Sequence, residues 1–378
     1  MKYIYQNKII RIVASIVDFF GGIFFIFARL RNRDIDRDNI KKILVVKLDQ
    51  LGDCFLSTPM FEHIHKAIPG VVVDLVCQES SLPIFKDNPF INNIFTFNYS
   101  RMMRGNGKRA GFTDYINLVH NLRQMDYDTF LDLRGEPFVA FLGFLVGARY
   151  KIGFGREEVG GFLYTYAPVY DRNSHETKKY EKILELLGVK DATWFPRIYI
   201  PEDEKKRFKD SIGLKIIKPF VAVHPGAGLS YKMWPIENFI ELISKILSVS
   251  DLSVVLLGSP DEKIIGEEIE AKINNNKVLN LIGMISIRDA YELISTTEVF
   301  VGNDSVLAHF SGALDRPTVD IMNGVINENR WRPLGKKVIV LKGNDSEHVC
   351  KYDKCMYPCQ NMKSVSIAEV LSNVERFL

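Results

Sequence analysis

Two successive series of β-rich runs alternating with helical patterns constrain the fold of this 378-residue chain more than any other feature. The first series begins at Ile43 with the run ILVVK, and the second begins at Phe220 with the run FVAV. Strands that alternate with helices are typical of βαβ units and parallel sheets. The length agrees, since a domain usually holds about 100–200 residues. The sequence therefore predicts an α/β protein with two doubly wound parallel sheets.

A hydrophobic and basic segment, residues 1–38, precedes both series. Its stretch Ile9–Leu30 is apolar apart from a few residues such as Arg11 and Asp18, and lysines and arginines flank it on both sides. Such flanks favour a segment that lies in or dips into an anionic membrane face. A helix packed on the protein itself and a single membrane span are the alternatives. No small-residue cleavage site follows, which argues against a cleaved signal peptide.

Composition and motifs exclude several classes of function. The formal net charge is +3, from 49 basic and 46 acidic residues, and this balance does not indicate nucleic-acid binding. The first strand is not followed by G-x-G-x-x-G, and the chain contains no G-x-x-x-x-G-K-[ST]. Dinucleotide-dependent oxidoreductases and P-loop enzymes are therefore disfavoured.

The cysteines predict core positions more readily than a metal site. Cys54 and Cys77 fall within predicted core elements, whereas three others cluster near the C-terminus. Three thiols are one ligand short of a tetrahedral zinc site, and His348 would supply the fourth ligand. No second ligand pair has finger-like spacing, so we expect no metal. The role of the three clustered residues stays open: Cys350, Cys355 and Cys359.

Chemistry-bearing turns follow several predicted strands. Ligands of doubly wound sheets bind beyond the carboxyl ends of the strands. The turns that we expect at those ends are Gly52-Asp53, His224-Pro225-Gly226, Gly258-Ser259 and Asn303-Asp304-Ser305.

The last of these turns lies in the segment VFVGNDSVLAHFSGALDRP, Val299 to Pro317. A β-rich run stops at Gly302, and a helical pattern starts at once with Ser305. A helix start directly after a strand presents unpaired N–H groups and the positive end of the helix dipole, which together favour an anion. Ser305 and His309 share one helix face. The alternative is that Asp304 is only an N-cap and His309 only a packed histidine.

Three blocks carry a resemblance to a known family. They are LDQLGDCFLSTPMF (48–61), HPGAGLSYKMWPIENF (224–239) and VGNDSVLAHFSGALDRP (301–317). Together they resemble the signature blocks of family 9 glycosyltransferases, the lipopolysaccharide heptosyltransferases. The match covers roughly residues 40 to 378, with lesser similarity at FLDLRG, at GARYKIGF and at His175-Glu176.

The resemblance implies a GT-B fold: two Rossmann-like, doubly wound parallel-sheet domains with the active site in the inter-domain cleft. Residues 39–205 would form the acceptor-binding domain and residues 206–378 the domain that binds the nucleotide sugar. The implied reaction is an inverting, metal-independent transfer, most simply of heptose from ADP-heptose, to a lipopolysaccharide core or other lipid-linked saccharide. The sugar nucleotide is a substrate and no cofactor is implied. We expect peripheral or monotopic contact with the cytoplasmic face of the inner membrane.

The resemblance also implies roles for individual residues. Asp53 matches the catalytic aspartate, which would take the proton of the acceptor hydroxyl. Asp49 is the nearby competitor, and a purely structural cap is the alternative for Asp53. Gly52 lets the acceptor approach the backbone closely, and Arg134, directly after a strand, is positioned to meet phosphates or acidic sugars of the acceptor.

The donor side follows from the second and third blocks. Lys232 matches a phosphate-binding lysine, with a surface lysine of no role as the alternative, and Asp304 matches the residue that holds sugar hydroxyls. Without a metal, cations and helix N-termini must stabilise the leaving diphosphate. The remaining residues expected to line the donor are Ser305, Val306, His309, Ala227, Gly228, Gly258, Ser259, Met284 and Ile285.

One position departs from the family pattern. Val306 stands where the family usually has glycine, which narrows the space beside the expected diphosphate. This departure and the N-terminal segment suggest a divergent member, so the donor sugar and acceptor stay open. The alternatives are another GT-B enzyme, such as a nucleotide-sugar epimerase, and a non-catalytic protein that binds sugar nucleotides.

Overall fold

The computed structural model describes Ser15, Asp18, Gly21 and residues 35–98, 109–154, 160–190, 192–345 and 357–378. These residues divide into two compact units, one within residues 1–199 and one within 200–378. Each unit contains one fully parallel sheet, which confirms the predicted α/β class. The division comes shortly before the predicted boundary between residues 205 and 206.

The sheet of the first unit has five strands in the order β3-β2-β1-β4-β5. Its strands are β1 Lys42–Lys47, β2 Val72–Cys77, β3 Ile94–Thr96, β4 Thr129–Asp132 and β5 Tyr150–Gly153. The helices among its described residues are α1 Leu51–Leu56, α2 Pro59–Ala67, α3 Leu82–Phe85, α4 Phe112–Arg123, α5 Pro137–Val146 and α6 Thr177–Leu186.

Burial on both faces explains the unbroken apolar strands of this unit. Leu44 and Val46 of β1 pack with Phe130 of β4 and with side chains of α4 and α5. Helix α5 starts with Pro137, whose fixed φ suits the first helical position, and it ends at Gly147 with φ +87°. These packed helices hold the carboxyl ends of β1 and β4 beside each other, in the register Val46 to Asp132.

The sheet of the second unit has six strands in the order β11-β10-β9-β6-β7-β8. Its strands are β6 Phe220–His224, β7 Ser253–Leu256, β8 Val278–Asn280, β9 Val299–Asn303, β10 Thr318–Met322 and β11 Val338–Lys342. Its helices are α7 Glu202–Asp210, α8 Ile236–Val249, α9 Lys263–Ile273, α10 Ile287–Ile294, α11 Val306–Ala313, α12 Glu328–Trp331, α13 Gln360–Lys363 and α14 Ile367–Glu375.

Trp234 anchors the core of the second unit. It is fully buried, stacks edge-on against Phe239 at 5.0 Å between ring centroids, and its indole N–H donates to the Val365 carbonyl at 3.0 Å. The surrounding core joins β6, β7, β9 and β10 to the apolar faces of α8 and α14. This packing fixes the segment after β6, which includes Lys232, against the end of β9.

One local prediction needs correction. The helix of the VGNDS segment begins at Val306, and Ser305, not Asp304, occupies the N-cap. After the Gly258-Ser259 turn, a short 3-10 turn, Pro260–Glu262, leads into α9. The turn is a Ser-x-x-Glu capping box that pairs Ser259 with Glu262.

Several predictions concern residues outside the described ranges. The N-terminal membrane segment is one, apart from Ser15, Asp18 and Gly21, and most of the C-terminal cysteine cluster is another. Within the described part of the chain, no helix is both long and apolar enough to cross a bilayer. Cys54, Cys77 and Cys359 are free thiols buried in the protein, as predicted for the first two.

Candidate functional site

A chain of ion pairs lies at the carboxyl ends of β1 and β4 in the first unit. Lys47 is the last residue of β1, and its Nζ donates to Asp49 Oδ2 at 2.6 Å. The other oxygen of Asp49 accepts from Arg134, which follows β4. Arg134 also donates to Glu136 Oε1 at 2.7 Å. All four charged groups are largely buried, so each needs the partner that the chain provides.

Helix α6 connects this chain to Asp53. Lys47 Nζ donates to the Tyr180 hydroxyl at 2.8 Å, and that hydroxyl donates to the main-chain carbonyl of Asp53 at 3.4 Å. Beside Tyr180, Lys179 pairs with Glu176 at 3.4 Å. The start of α6 therefore adds one further cation and one further carboxylate to the surroundings of Asp53.

Asp53 stands in the first turn of α1 with its side chain half-buried. Its carboxylate makes no hydrogen bond to any other described residue. Burial raises its pKa to about 6, and the negative charges of Asp49 and Glu176 act in the same direction, against the opposing cations Lys47 and Lys179. A carboxylate with this pKa is largely ionised at neutral pH and still binds a proton readily.

Asp49 has the opposite character. Burial acts to raise the pKa of its carboxyl, but Lys47 and Arg134 outweigh burial and hold that pKa at about 2. Asp49 is thus a permanently charged acceptor of hydrogen bonds. Gly52 is the second residue of α1, and Arg134 is engaged by Asp49 and Glu136, so its predicted contact with the acceptor stays a prediction.

The predicted donor residues of the second unit gather around the end of β9. Lys232 Nζ donates to Asp304 Oδ2 at 2.6 Å, with side-chain exposures of 25% and 7%. Asn303 fixes this arrangement. Its side-chain oxygen accepts from the backbone N–H of Trp234 at 2.9 Å, and its side-chain amide donates to the Pro225 carbonyl at 2.8 Å. The sequence between Pro225 and Trp234, which contains Lys232, is thereby tied to β9.

A second network joins Ser305 to the ends of β6 and β7. His224 Nδ1 lies 3.0 Å from Ser305 Oγ, and His224 Nε2 lies 3.4 Å from Glu262 Oε2. That carboxylate also accepts from the Ser259 N–H at 2.6 Å. Burial acts to raise the pKa of Glu262, but the bonds from His224 and Ser259 outweigh it and lower the pKa. An ionised Glu262 only accepts, so His224 donates to it from Nε2, and Nδ1 faces the Ser305 hydroxyl.

Unpaired N–H groups face the same region. Ser305 caps α11 without a side-chain cap bond, because its hydroxyl is turned to His224. The N–H groups of Ser305 and Val306 donate to no other described residue, and neither do those of Ala227 and Gly228 after β6. Since an N-terminal turn leaves such donors without helical partners, these groups are available to an anion.

The remaining predicted residues lie at neighbouring strand ends. Gly283 N–H donates to the Gly258 carbonyl at 3.0 Å, which brings the exposed Met284 and the adjoining Ile285 beside the end of β7. His309 lies on α11, is 5% exposed, and donates its backbone N–H to Ser305 at 3.3 Å. Its burial fits the packed histidine of the alternative interpretation, and its predicted donor contact stays a prediction.

Asp320 is a buried acid in the middle of β10, opposite Gly302 of β9. Both of its carboxyl oxygens are buried and have no hydrogen-bond partner among the described residues. Burial raises its pKa well above the ordinary value, and the neighbouring Asp304 adds to this effect while Lys232 opposes it. Burial and the charge of its neighbour therefore both favour the neutral form of Asp320.

Sequence inspection missed several members of these networks. Lys47 carried a usable signal, because a lysine that ends an apolar strand sits at the sheet edge where ligands bind. Glu262 carried one too, as the fourth residue of the capping pattern SPDE. Tyr180, Lys179 and Glu136 carried none, because only the packing of α6 and α5 brings them to the end of β1.

Together these side chains offer a carboxylate base in one unit and a cation with free N–H donors in the other. Among the described residues, no group of three or more His, Cys, Asp or Glu side chains is arranged to hold a metal ion. The chemistry that the residues themselves support is proton removal from a hydroxyl and stabilisation of an anionic leaving group.

A family model and several known proteins are similar to most of this chain. The model of the family "Glycosyltransferase family 9 (heptosyltransferase)" matches residues 115–360. Lipopolysaccharide heptosyltransferase 3 of Escherichia coli K12 is 25% identical over 76% of this chain and 84% of its own length. Lipopolysaccharide heptosyltransferase 2 of Salmonella typhimurium is 25% identical over 89% of this chain and 98% of its own length.

A solved structure supports the fold independently. The ADP-heptose lipopolysaccharide heptosyltransferase II of Escherichia coli superposes with a TM-score of 0.72 at 22% identity, covering 89% of this chain and 98% of that protein. The two Rossmann-like, parallel-sheet domains of the predicted GT-B fold are therefore confirmed.

Proposed function

This chain belongs to glycosyltransferase family 9, the heptosyltransferase family, and we propose that it moves a heptose from ADP-heptose onto a lipopolysaccharide core or another lipid-linked saccharide. Its similarity to lipopolysaccharide heptosyltransferases 2 and 3 supports the sugar and the acceptor class. The chain is a glycosyltransferase. Its membership of family 9 argues against the two alternatives, a nucleotide-sugar epimerase and a non-catalytic protein that binds sugar nucleotides.

The observation that carries the mechanism is the contrast between two neighbouring carboxylates. A general base must be ionised at the working pH and must still hold a proton once it has taken one. Asp53, with a pKa of about 6 and no hydrogen bond to another described residue, meets both requirements. Asp49 is bound to two cations and has a pKa of about 2, which makes it a poor proton acceptor.

Asp53 therefore takes the proton of the acceptor hydroxyl as that oxygen attacks the anomeric carbon. The bond from this carbon to the diphosphate breaks, and the electron pair leaves with the diphosphate. A single displacement of this kind inverts the anomeric configuration.

The second unit stabilises the negative charge that builds up on the leaving group. Lys232 supplies the cation, and the N–H groups of Ser305 and Val306 supply donors at the start of α11. Val306 does not remove this function, since only its backbone N–H is required. In this proposal, residues of the chain itself stabilise the negative charge of the leaving diphosphate, and no metal is required. The free carboxylate oxygen of Asp304 is suited to a sugar hydroxyl.

Substitution of Asp53 by Asn tests the base. The change keeps the size of the side chain and removes its ability to accept a proton, so transfer should fall by about 10²–10⁴-fold while ADP affinity stays within about twofold. The assay follows heptose transfer from ADP-heptose to heptose-deficient lipopolysaccharide. Transfer at the wild-type rate in Asp53→Asn refutes the assignment of the base.

A thermal-shift series of nucleoside diphosphates tests the donor, because a ligand that binds the native state raises the melting temperature. We expect ADP to stabilise the protein more than UDP or GDP. A preference for UDP or GDP would indicate a donor sugar other than heptose.

We place the enzyme at the cytoplasmic face of the inner membrane, where a lipid-linked acceptor and the basic, apolar segment 1–38 meet.

A further inference from the structure

Asp49 is joined to Asp53 by a continuous chain of polar contacts. Lys47 Nζ bonds to the Asp49 carboxylate at 2.6 Å and to the Tyr180 hydroxyl at 2.8 Å. That hydroxyl donates to the main-chain carbonyl of Asp53 at 3.4 Å. Arg134 binds the second oxygen of Asp49, so the carboxylate is held from both sides.

The backbone of Asp49 is held as firmly as its side chain. Its carbonyl accepts from Gln78 Nε2 at 3.2 Å and from Ser81 Oγ at 3.2 Å. Asp49 is 8% exposed, so little water screens its charge from Asp53. Four bonds from four different side chains therefore fix a buried negative charge in the turn that leads into α1.

We propose that Asp49 is a positioning residue for transfer: the clamp formed by Lys47 and Arg134 holds a permanent negative charge beside Asp53 and makes Asp53 a stronger proton acceptor. This inference rests on the proposed role of Asp53 as the base. A fixed like charge disfavours the ionised form of a neighbouring carboxyl and so increases its affinity for a proton. The clamp matters because Asp49 must itself stay ionised to have this effect.

Other groups also act on Asp53 and fix the expected size of the effect. Glu176 at the start of α6 acts in the same direction as Asp49, but Lys179 is paired with it at 3.4 Å and offsets it. The charged and titratable groups that face Asp53 are Lys47 and Asp49 from β1 and its turn, Cys54 from α1, Arg134 from the end of β4, and Glu176, Lys179 and Tyr180 from α6. Asp49 is the strongest of the charges that raise the pKa of Asp53.

Carboxyl ¹³C NMR titration of the full chain, labelled at aspartate, measures the ionisation of Asp53 directly and needs no substrate. The wild type should show a resonance with a midpoint near pH 6 that disappears in Asp53→Asn. In Asp49→Asn the midpoint should fall by about one pH unit or more, toward the ordinary value of about 4. An unchanged midpoint overturns the inference.

Two further variants separate electrostatics from a merely structural role. In Arg134→Gln, Lys47 still bonds to Asp49 and keeps it ionised, while a cation that faces Asp53 is lost, so the midpoint should move upward, opposite to Asp49→Asn. Glu136→Gln removes the other carboxylate that is bound to the same arginine, and it should move the midpoint by less than about 0.3 pH unit. Midpoint shifts of the same sign in all variants would indicate loosened packing and overturn the inference. If Asp49→Asn does not fold, the Arg134 and Glu136 variants decide whether the neighbouring charges control the midpoint of Asp53.

Kinetics then links the titration to transfer. The acidic limb of the pH profile of kcat should move down with the NMR midpoint in Asp49→Asn, and the plateau rate should fall about three- to tenfold because the base is weaker. KM for ADP-heptose should not change, since the change lies outside the donor network. If Asp53→Asn transfers normally, the proposed base fails, yet the NMR comparison still decides whether Asp49 controls the ionisation of Asp53.

Discussion

The pair formed by Lys232 and Asp304 leads to the sharpest prediction about the donor. Lys232 should contribute to the affinity for ADP, because its ammonium is bonded to Asp304, the residue directly before the N–H groups of Ser305 and Val306. The ammonium is bonded to Asp304 at 2.6 Å, so the diphosphate has to share it with that carboxylate. The two residues should therefore affect ADP binding with opposite signs.

The magnitude follows from the character of the contact. A hydrogen bond to a charged group is worth about 1.5–3 kcal/mol, and at 1.4 kcal/mol per tenfold change this range corresponds to about a 10- to 150-fold loss of affinity. Lys232 is one-quarter exposed and already bonded to Asp304, so the loss of ADP affinity in Lys232→Ala should lie near the lower end of this range, at about tenfold. Asp304→Asn should leave ADP affinity unchanged or raise it about threefold, because it frees the ammonium and removes a like charge.

Isothermal titration calorimetry with ADP measures all the variants. Lys232→Arg should retain most of the affinity, since it keeps the charge. Lys272→Ala serves as the matched control: Lys272 also pairs with a carboxylate, Glu268 at 2.7 Å, but it lies on the exposed face of α9. The control should bind ADP like the wild type.

Two results would contradict the argument. If Lys232→Ala binds ADP as well as the wild type does, the ammonium has no part in holding the diphosphate. If Asp304→Asn loses as much affinity as Lys232→Ala, the pair acts as a structural unit and not as a cation shared with the ligand. Melting temperatures of both variants exclude a general loss of folding as the cause.

Three other predictions concern pH, packing and the membrane. Because the pKa of Asp53 is raised to about 6, Asp53 is protonated below that pH. The value of kcat/KM should therefore fall about tenfold for each pH unit below 6 and level off above it. A profile that stays flat down to pH 4.5 would contradict the assignment of Asp53 as the base. A Cβ at Gly226 would clash with Glu262 Oε1, so Gly226→Ala should displace that side chain from His224 and weaken ADP binding several-fold with little change in melting temperature. Wild-type affinity in calorimetry would show that the His224 network is dispensable. Deletion of residues 1–34 should abolish co-flotation with anionic liposomes, and undiminished flotation would rule out the segment as the anchor.

Pattern alone was sufficient for the strands of this protein. Parallel strands buried on both faces must be short, apolar and β-branched, and helices between them must be amphipathic, so runs such as ILVVK and VFV identify strands without tertiary information. Since ligands of such sheets lie at the strand ends, the same pattern also pointed to the turns around Asp53, Gly258 and Asp304.

The chemical character of the candidate residues depended on contacts that no local pattern encodes. Asp49 and Asp53 are four positions apart in similar sequence surroundings, yet one has a pKa of about 2 and the other a pKa of about 6. The difference arises because Arg134, 85 residues away from Asp49, and Lys47 bind only one of the two carboxylates.

The same holds for the second unit. The sequence identified Lys232 and Asp304 separately, but only the fold brings a lysine and an aspartate 72 positions apart to within 2.6 Å. Composition and periodicity determined which strands form. Which acid has a raised pKa, which cation pairs with an aspartate, and which hydroxyl is turned away from its helix were decided by tertiary structure, because pKa values and hydrogen bonds depend on distance and burial in space.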